Sequence, residues 1–344
     1  MTEFTDREAL ILNRVQKGIP CVGKPFLEIG NDTGCSEDEV LDTLTHLKEK
    51  GVIRNISGIF EGEKLGYYLS LVAFEIPKEK IEEAATIINS HPGVSHNYLR
   101  DHRYNIWFTL AEEDKDSFNK TVSILASKSS ALDFLILRNE KLLKLGVYLN
   151  IESKDNKDNK DNFDNVTTHK EAGLNFDSFD EMSREAVLLL QNDLPIDKNP
   201  FKNILESGKV LHDEEQLLSY FSKFIAAGIM RRYAAVLKHR SAGYKTNAMT
   251  AWKPNDLSNT DCFKESKSVS HLYFRTIHPG RWEYPLFAMI HAKSDEELKS
   301  VIDELSDKSG IKDFLVLSSI KEFKKKRVRY FSEEFNEWKR LNYD

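Results

Sequence analysis

The chain has 344 residues, 40% of them hydrophobic and 30% charged, which is typical of a globular protein with two or more domains. Its net charge of −6 makes wholesale nucleic-acid binding improbable, and three cysteines without a CxxC pair favour a reducing, cytoplasmic location without a zinc or iron–sulfur site. We expect no membrane contact, because no apolar run could span a bilayer and the first residues do not resemble a signal peptide.

Residues 1–66 have the pattern of a winged helix-turn-helix. Thr5 and Glu8 have the spacing of a capping box, and so do Ser36 and Glu39. Apolar residues at helical spacing follow each start, and Gly51 is a natural helix end before a β-like run. Helices followed by a short hairpin are typical of this fold.

Residues 67–150 alternate between strand and helix patterns. Strands are predicted near 69–76, 93–100, 103–111 and 132–138, with helices near 78–89 and 114–127. The order strand, helix, strand, strand, helix, strand predicts a ferredoxin-like domain.

The same two patterns recur after a linker. Residues 151–175 include a run of Asp, Asn and Lys without apolar residues, which predicts a flexible linker. A second winged helix-turn-helix is expected over 176–243, beginning at Ser178, and a second ferredoxin-like domain over 244–332, followed by a tail over 333–344. The predicted strands are 246–253, 268–276, 283–292 and 311–317, and the helices are 255–264 and 294–306.

A repeated signature supports the duplication. The segment Val-Ser-His-Asn-Tyr-Leu-Arg at 94–100 returns as Val-Ser-His-Leu-Tyr-Phe-Arg at 269–275. Residues two apart in a strand share a face, so His, Tyr and Arg project together in each copy. The fold class is therefore α+β, a tandem repeat of winged helix-turn-helix and ferredoxin-like domains. We expect the two sheets to stack as an internal pseudo-dimer, with these faces lining the gap.

Each half resembles the Lrp/AsnC regulators, which implies small molecules bound near a sheet interface and DNA bound by the helix-turn-helix. Residues 36–50, the expected recognition helix, are acidic, and so is the counterpart after His212. Because DNA is a polyanion, we expect no DNA binding. A DNA-binding regulator that senses a small molecule or tetrapyrrole is nevertheless the alternative function.

Basic and aromatic residues suit a large, flat, polycarboxylated ligand. Arginine offers forked donors to carboxylates, aromatic rings offer apolar walls, and histidine can donate a proton. Arg103 and Arg281 are expected to be solvated. The candidate binding residues are Tyr98, Arg100, His102, Tyr104, Trp107, Arg231, Arg232, Arg240, Tyr244, Asn247, Met249, Trp252, Tyr273, Arg275 and His278.

Two motifs are similar to those of the siroheme decarboxylases. The first runs from His96 to Thr109, and the second runs from Arg231 to Lys253. The resemblance implies loss of two acetate carboxyl groups from siroheme, giving 12,18-didecarboxysiroheme in haem or haem d1 formation. It also implies that the two usual subunits are fused here. No cofactor is expected, and iron enters only as part of the substrate.

The two copies differ where the chemistry is expected. Copy two has Lys238-His239-Arg240 before its first ferredoxin strand, whereas copy one has Gly62 and Glu63 there. We therefore expect the main site on copy two, with His239 as the leading proton donor and His271 and His96 as the other catalytic candidates. A histidine could instead ligate the siroheme iron. Further assembly into a homo-oligomer is left open.

Overall fold

The computed structural model describes residues 4–145, 179–237, 246–255 and 260–343. These residues form two compact units, and each unit combines parts of both copies. The first contains the helix-turn-helix regions, 4–65 and 179–237, and the second contains the ferredoxin-like regions. No helix in these ranges is long and apolar enough to cross a membrane.

The first unit begins with α1 (Asp6–Lys17), α2 (Pro25–Thr33), α3 (Glu37–Glu49) and β1 (Ile53–Phe60). Both predicted capping boxes, at Thr5 and at Ser36, are present. Copy two contributes α6 (Glu181–Leu190), α7 (Pro200–Leu205), α8 (Glu214–Ala226) and β7 (Met230–Leu237). Ser178 lies outside the described residues, and Asp180 caps α6 by accepting the Ser183 N–H at 2.8 Å.

The strands of this unit pair between copies. β1 runs antiparallel to β7, with Ser57 opposite Ala234, where a local hairpin was expected. After β1 the chain enters a 3-10 turn at Gly62–Leu65 and does not turn back beside the strand. One edge of each strand therefore forms its backbone hydrogen bonds with the strand of the other copy, so that edge is not exposed.

The second unit contains two ferredoxin-like domains, as predicted. Copy one has β2 (Tyr68–Glu75), α4 (Ile81–Asn89), β3 (Val94–Arg100), β4 (Ile106–Glu112), α5 (Lys115–Lys128) and β5 (Asp133–Leu137). Copy two has β8 (Thr246–Trp252), α9 (Asp261–Glu265), β9 (Val269–Arg275), β10 (Leu286–Ala292), α10 (Asp295–Ser309) and β11 (Phe314–Lys325). The strand orders β5-β2-β4-β3 and β11-β8-β10-β9 correspond to each other.

The last strand of each copy continues into the sheet of the other. β6 (Asn139–Leu145) follows β5 almost directly and pairs with β9. β11 pairs first with β8 and then, from Ser319 onward, with β3. The expected ends at 138 and 317 were too early, because the extensions are rich in charge and their pairing partners are distant in sequence. The result is one nine-stranded sheet.

Three hydrophobic clusters hold this unit together. Two of them place the strands of one copy against its own helices. The third, called the inner cluster below, joins strand residues of both copies, including Leu71, Trp107, Met249 and Phe287. The sheet faces that the helices leave uncovered are thus buried against each other, as the sequence analysis anticipated.

A C-terminal helix, α11 (Glu334–Asn342), occupies the segment expected to be a tail. It buries Phe335 and Trp338, and the Trp338 ring lies 4.3 Å from the His91 ring, measured between centroids. Lys339 Nζ lies 3.2 Å from Glu112 Oε2 and 2.7 Å from Glu113 Oε2. The helix is short and has only two buried apolar residues, so its periodicity is weak.

His91 and Glu112 form a fully buried pair, with 2.9 Å between Nε2 and Oε1. The Gly93 N–H donates to His91 Nδ1, so the ring proton is on Nε2 and the ring is neutral. Burial accordingly lowers the pKa of His91. Burial pushes the pKa of Glu112 up, but His91, Thr121 and Lys339 together hold it below its usual value.

We expect acid to loosen α11. The pKa values of both groups are lower in the folded state than in the unfolded state, so the unfolded state binds more protons at low pH. Protonation of His91 therefore lowers the free energy of unfolding below about pH 6.5, and protonation of Glu112 lowers it further below about pH 4.3. Hydrogen exchange of the α11 amides, corrected for intrinsic rates, should show easier opening at about pH 5 than at about pH 7. Glu112→Ala should ease opening at both, by roughly 3 kcal/mol.

The control is Glu304→Gln, which removes an exposed carboxylate paired with Lys308 on α10. It should leave α11 exchange unchanged. Equal α11 protection in wild type and Glu112→Ala would show that the buried pair does not hold the helix.

Candidate functional site

β3 and β9 present matching faces. The His96 and Tyr98 rings stack with centroids 6.3 Å apart, and the His271 and Tyr273 rings do so at 6.2 Å. The guanidinium carbon of Arg100 lies 5.2 Å from the Tyr98 ring centroid, and that of Arg275 lies 4.7 Å from the Tyr273 centroid. Each predicted His-Tyr-Arg triplet therefore shares one face of its strand, as alternation requires.

The two arginines also anchor the crossing strands. Arg100 Nη1 donates to the Leu317 carbonyl at 2.6 Å, and Arg275 Nη1 donates to the Leu137 carbonyl at 2.9 Å. Both carbonyls lie where a strand passes from one sheet to the other. Each arginine therefore also donates to the backbone, and its predicted contact with substrate carboxylates stays a prediction.

Both guanidiniums keep a donor to spare. Their Nε atoms are buried and make no hydrogen bond within the described part of the chain, and neither arginine pairs with a described carboxylate. Burial lowers the pKa of each to about 10, so both stay charged at neutral pH. A buried cation with an unmet donor costs free energy unless an anion or polar group reaches it.

A β-bulge places a serine beside each histidine. The pairing register shifts at Ser95–His96 and at Ser270–His271, so two residues there oppose one residue of the neighbouring strand. Ser95 Oγ lies 3.0 Å from His96 Nδ1, and Ser270 Oγ lies 2.8 Å from His271 Nδ1. Strict alternation would have put serine and histidine on opposite faces.

The partners behind these serines differ between copies. Ser270 Oγ lies 2.9 Å from Nε2 of His291 on β10. Ser95 Oγ instead lies 2.5 Å from Thr109 Oγ1. His291 was not among the predicted site residues, although it lies two residues after Met289 and four after Phe287, a spacing that places it on the inner face.

The crossing strands also differ. β11 puts Glu322 opposite Tyr98, and the Tyr98 hydroxyl donates to Glu322 Oε2 at 3.2 Å. β6 puts Leu142 opposite Tyr273. Copy one therefore carries a carboxylate where copy two carries an apolar side chain. Nothing in the local sequence indicated this, because the register joins residues more than 100 positions apart.

Three predicted wall residues are packed inside the inner cluster. Trp107 and Tyr104 are each 1% exposed and Met249 is 9% exposed. Trp107 contacts Trp282 edge-on at 5.3 Å, and the Tyr104 hydroxyl donates to Asp133 at 2.7 Å. Burial and Asp133 raise the pKa of Tyr104 to about 12. Trp107 and Tyr104 thus pack in the core of this unit, and their contact with a ligand stays a prediction.

Trp252 is also buried, but in a different hydrophobic cluster, and its contact with a ligand stays a prediction. It is fully buried in the cluster that lies between the copy-two strands and their helices. Its Nε1 donates to Thr250 Oγ1 at 2.7 Å. Its position two residues after Thr250 puts it on the face away from the inner cluster. Asn247, by contrast, is exposed and lies opposite His291 in the β8–β10 pairing.

His102 and His278 lie in the turns after the two signature strands. His102 Nδ1 accepts the Tyr104 N–H at 3.1 Å, and burial lowers the His102 pKa. His278 Nε2 lies 2.9 Å from the Ile136 carbonyl, so that nitrogen is a donor. Its Nδ1 lies 3.5 Å from Arg281 Nη2.

The remaining predicted residues are spread over the molecule. Arg231 pairs with Glu61 at 2.5 Å in the helix-turn-helix unit, where Arg232 also lies. Arg103 and Arg281 both pair with Asp133. His239, Arg240 and Tyr244 lie outside the described residues. Within the described ranges, no three His, Cys, Asp or Glu side chains are grouped to hold a metal ion.

Comparison with known proteins identifies the family. Residues 64–144 and 241–324 match the AsnC-like ligand binding domain, and residues 8–54 match the siroheme decarboxylase NirDL-like HTH domain. A siroheme decarboxylase from Hydrogenobacter thermophilus is 38% identical over 95% of this chain and 96% of its own length. The chain belongs to the siroheme decarboxylase family.

Two further comparisons bear on its organisation. The alpha subunit of a siroheme decarboxylase from Desulfovibrio desulfuricans is 33% identical and covers 44% of this chain and 88% of its own length. The crystal structure of the siroheme decarboxylase NirDL in complex with an iron-uroporphyrin III analogue superimposes with a TM-score of 0.77. It is 31% identical and covers 98% of this chain and 99% of that one.

Proposed function

We propose that this siroheme decarboxylase is a carboxy-lyase that removes two acetate carboxyl groups of siroheme as carbon dioxide, giving 12,18-didecarboxysiroheme. The observation that carries the site is the His271–Tyr273–Arg275 face, where the Tyr273 ring lies between an imidazole and a buried cation that has an unused donor. Siroheme is a flat ring bearing eight carboxylates. Such a substrate supplies the anion that Arg275 lacks and an aromatic surface for Tyr273.

The proposed reaction breaks a C–C bond and then protonates the carbon that is left. The C–C bond to the departing carboxylate breaks, carbon dioxide leaves, and the electron pair stays on the methylene carbon, where the macrocycle delocalises it. A histidine ring then donates a proton to that carbon. We assign this donation to His271, with His239 the alternative that sequence alone supports. Because the macrocycle accepts the charge, we propose that no cofactor is needed and that iron enters only with the substrate.

We place the site on copy two because the copy-one face carries a carboxylate where copy two has an apolar residue. Glu322 stands beside Tyr98 on the copy-one face, whereas Leu142 stands beside Tyr273. At an effective dielectric constant of about 20, two like charges about 4 Å apart repel by about 4 kcal/mol. A polycarboxylate approaching Tyr98 meets that repulsion, which Lys325, opposite His96, offsets only in part, whereas Leu142 at the equivalent place in copy two favours the macrocycle.

We also propose that the two subunit types are fused in this chain, that it has no DNA partner and that it works in a reducing compartment. The relative that covers under half of this chain supports a fusion of two subunits, so the pseudo-dimer is internal. We propose no DNA partner, because the first turn of α3 holds Glu37, Asp38 and Glu39 and that of α8 holds Glu214 and Glu215. We propose a reducing compartment such as the cytoplasm, because no disulfide joins any of the three cysteines, all of which lie in the described ranges.

Anaerobic incubation with siroheme should yield the didecarboxylated product. Mass spectrometry should find successive loss of two carbon dioxide molecules with purified protein alone, and treatment with a chelator before substrate is added should not change the rate. Siroheme that binds and is recovered unchanged would indicate a carrier and contradict the proposal. Tight, salt-sensitive binding to duplex DNA would instead favour a regulator.

Removing the copy-one carboxylate should open a second binding face. In Glu322→Gln and Glu322→Leu, spectroscopic titration with an iron-uroporphyrin analogue should show additional binding per chain beyond that of wild type, because the repulsive charge is gone. The matched control is Glu82→Gln, which removes a carboxylate that pairs with Lys321 of the same strand. Unchanged stoichiometry in both Glu322 variants would contradict this account of the asymmetry.

A further inference from the structure

His291 lies behind the proposed proton donor. It is on β10, two residues beyond Met289 and opposite Asn247 of β8. Its Nε2 lies 2.9 Å from Ser270 Oγ, and Ser270 is 6% exposed. The second histidine therefore contacts the serine that the β-bulge brings beside His271.

The serine connects the two imidazoles. A hydroxyl has one proton to donate and two lone pairs to accept with, so it can accept from one ring and donate to the other. Ser270 Oγ lies 2.8 Å from His271 Nδ1 and 2.9 Å from His291 Nε2. Both distances are those of ordinary hydrogen bonds, so the three groups form a continuous path for a proton.

Copy one shows what the path would look like without the second histidine. The backbone N–H of His291 bonds the Ser268 carbonyl at 2.9 Å, and that of Ala111 bonds the Gly93 carbonyl at 3.0 Å. His291 and Ala111 are thus equivalent positions of the two copies. In copy one the serine, Ser95, turns to Thr109 instead. Within the part of the chain that the structure describes, the path is therefore found in copy two, where Leu142 occupies the place of Glu322.

We propose that His291 supplies protons to His271 through Ser270 during decarboxylation. This inference rests on the proposed function. Because Nδ1 of His271 faces Ser270, the proton for substrate leaves from Nε2. Each loss of carbon dioxide leaves a carbanion that consumes one proton, and the reaction includes two such losses. A reservoir behind the donor meets that demand.

The step balances as a concerted shift. The Nε2 proton of neutral His271 passes to the methylene carbon, the Ser270 hydroxyl proton passes to His271 Nδ1, and the Nε2 proton of cationic His291 passes to Ser270 Oγ. The carbanion and the cation are both neutralised, and His271 is left as its other tautomer. A solvent proton taken up at His271 Nε2 drives the reverse shift and restores the charge on His291.

The kinetic test uses His291→Ala, which copies the residue that copy one carries at the same position, and Ser270→Ala. Loss of the relay should lower kcat about a hundredfold, the lower end for a lost general acid. KM should stay within about twofold, since Arg275 and Tyr273 remain, and the monodecarboxylated intermediate should accumulate. Added imidazole should rescue His291→Ala and should not rescue Ser270→Ala. Ser95→Ala, the copy-one control, should behave as wild type.

Full activity in His291→Ala, or a loss that imidazole does not rescue, would overturn the relay. A second readout does not depend on turnover: nitrogen NMR of the imidazoles in ligand-free protein. Ser270→Ala and His291→Ala should each shift the His271 ring nitrogens, whereas Ser95→Ala should not. If wild type leaves siroheme unchanged, the proposed function fails, while unshifted His271 nitrogens would refute the relay separately.

Discussion

Exchange of the last strand between the two copies is the constraint on which the rest of the sheet unit depends. β6 completes the sheet of copy two, and the second half of β11 completes that of copy one. Arg100 and Arg275 hold the carbonyls at the two crossing points. Each ferredoxin-like sheet therefore gains an edge strand from the other copy, and a single chain keeps the two copies together.

The same exchange lets the two faces diverge. Each signature strand keeps its own His, Tyr and Arg, but the residue that faces the tyrosine comes from the other copy's crossing strand. One crossing strand brings Glu322 and the other brings Leu142, while β10 brings His291 and β4 brings Ala111. A shared backbone thus supports two faces that differ in charge and in the groups behind the histidine.

Local pattern predicted the repeat, the ferredoxin-like order and the capping boxes, because these depend on residues close in sequence. The sequence could not show that 139–145 and 318–325 form strands, since their partners lie in the other copy. The sequence could not show that three aromatic residues, Trp107, Tyr104 and Trp252, are buried in hydrophobic clusters. An aromatic residue in a strand has the same local sequence pattern whether it packs in a core or contacts a ligand. Ser270, His291 and Glu322 were missed because a bulge and a long-range register place them.

The most direct test of the account compares the two equivalent histidines. His271→Ala and His96→Ala remove the same group from matching strands, and each variant's rate of siroheme decarboxylation can be measured anaerobically beside its affinity for the substrate. We predict that His271→Ala loses about a hundredfold to ten-thousandfold in kcat while still binding siroheme, and that His96→Ala stays near wild type. Equal losses in both variants, or a loss confined to His96→Ala, would contradict the assignment of the chemistry to copy two.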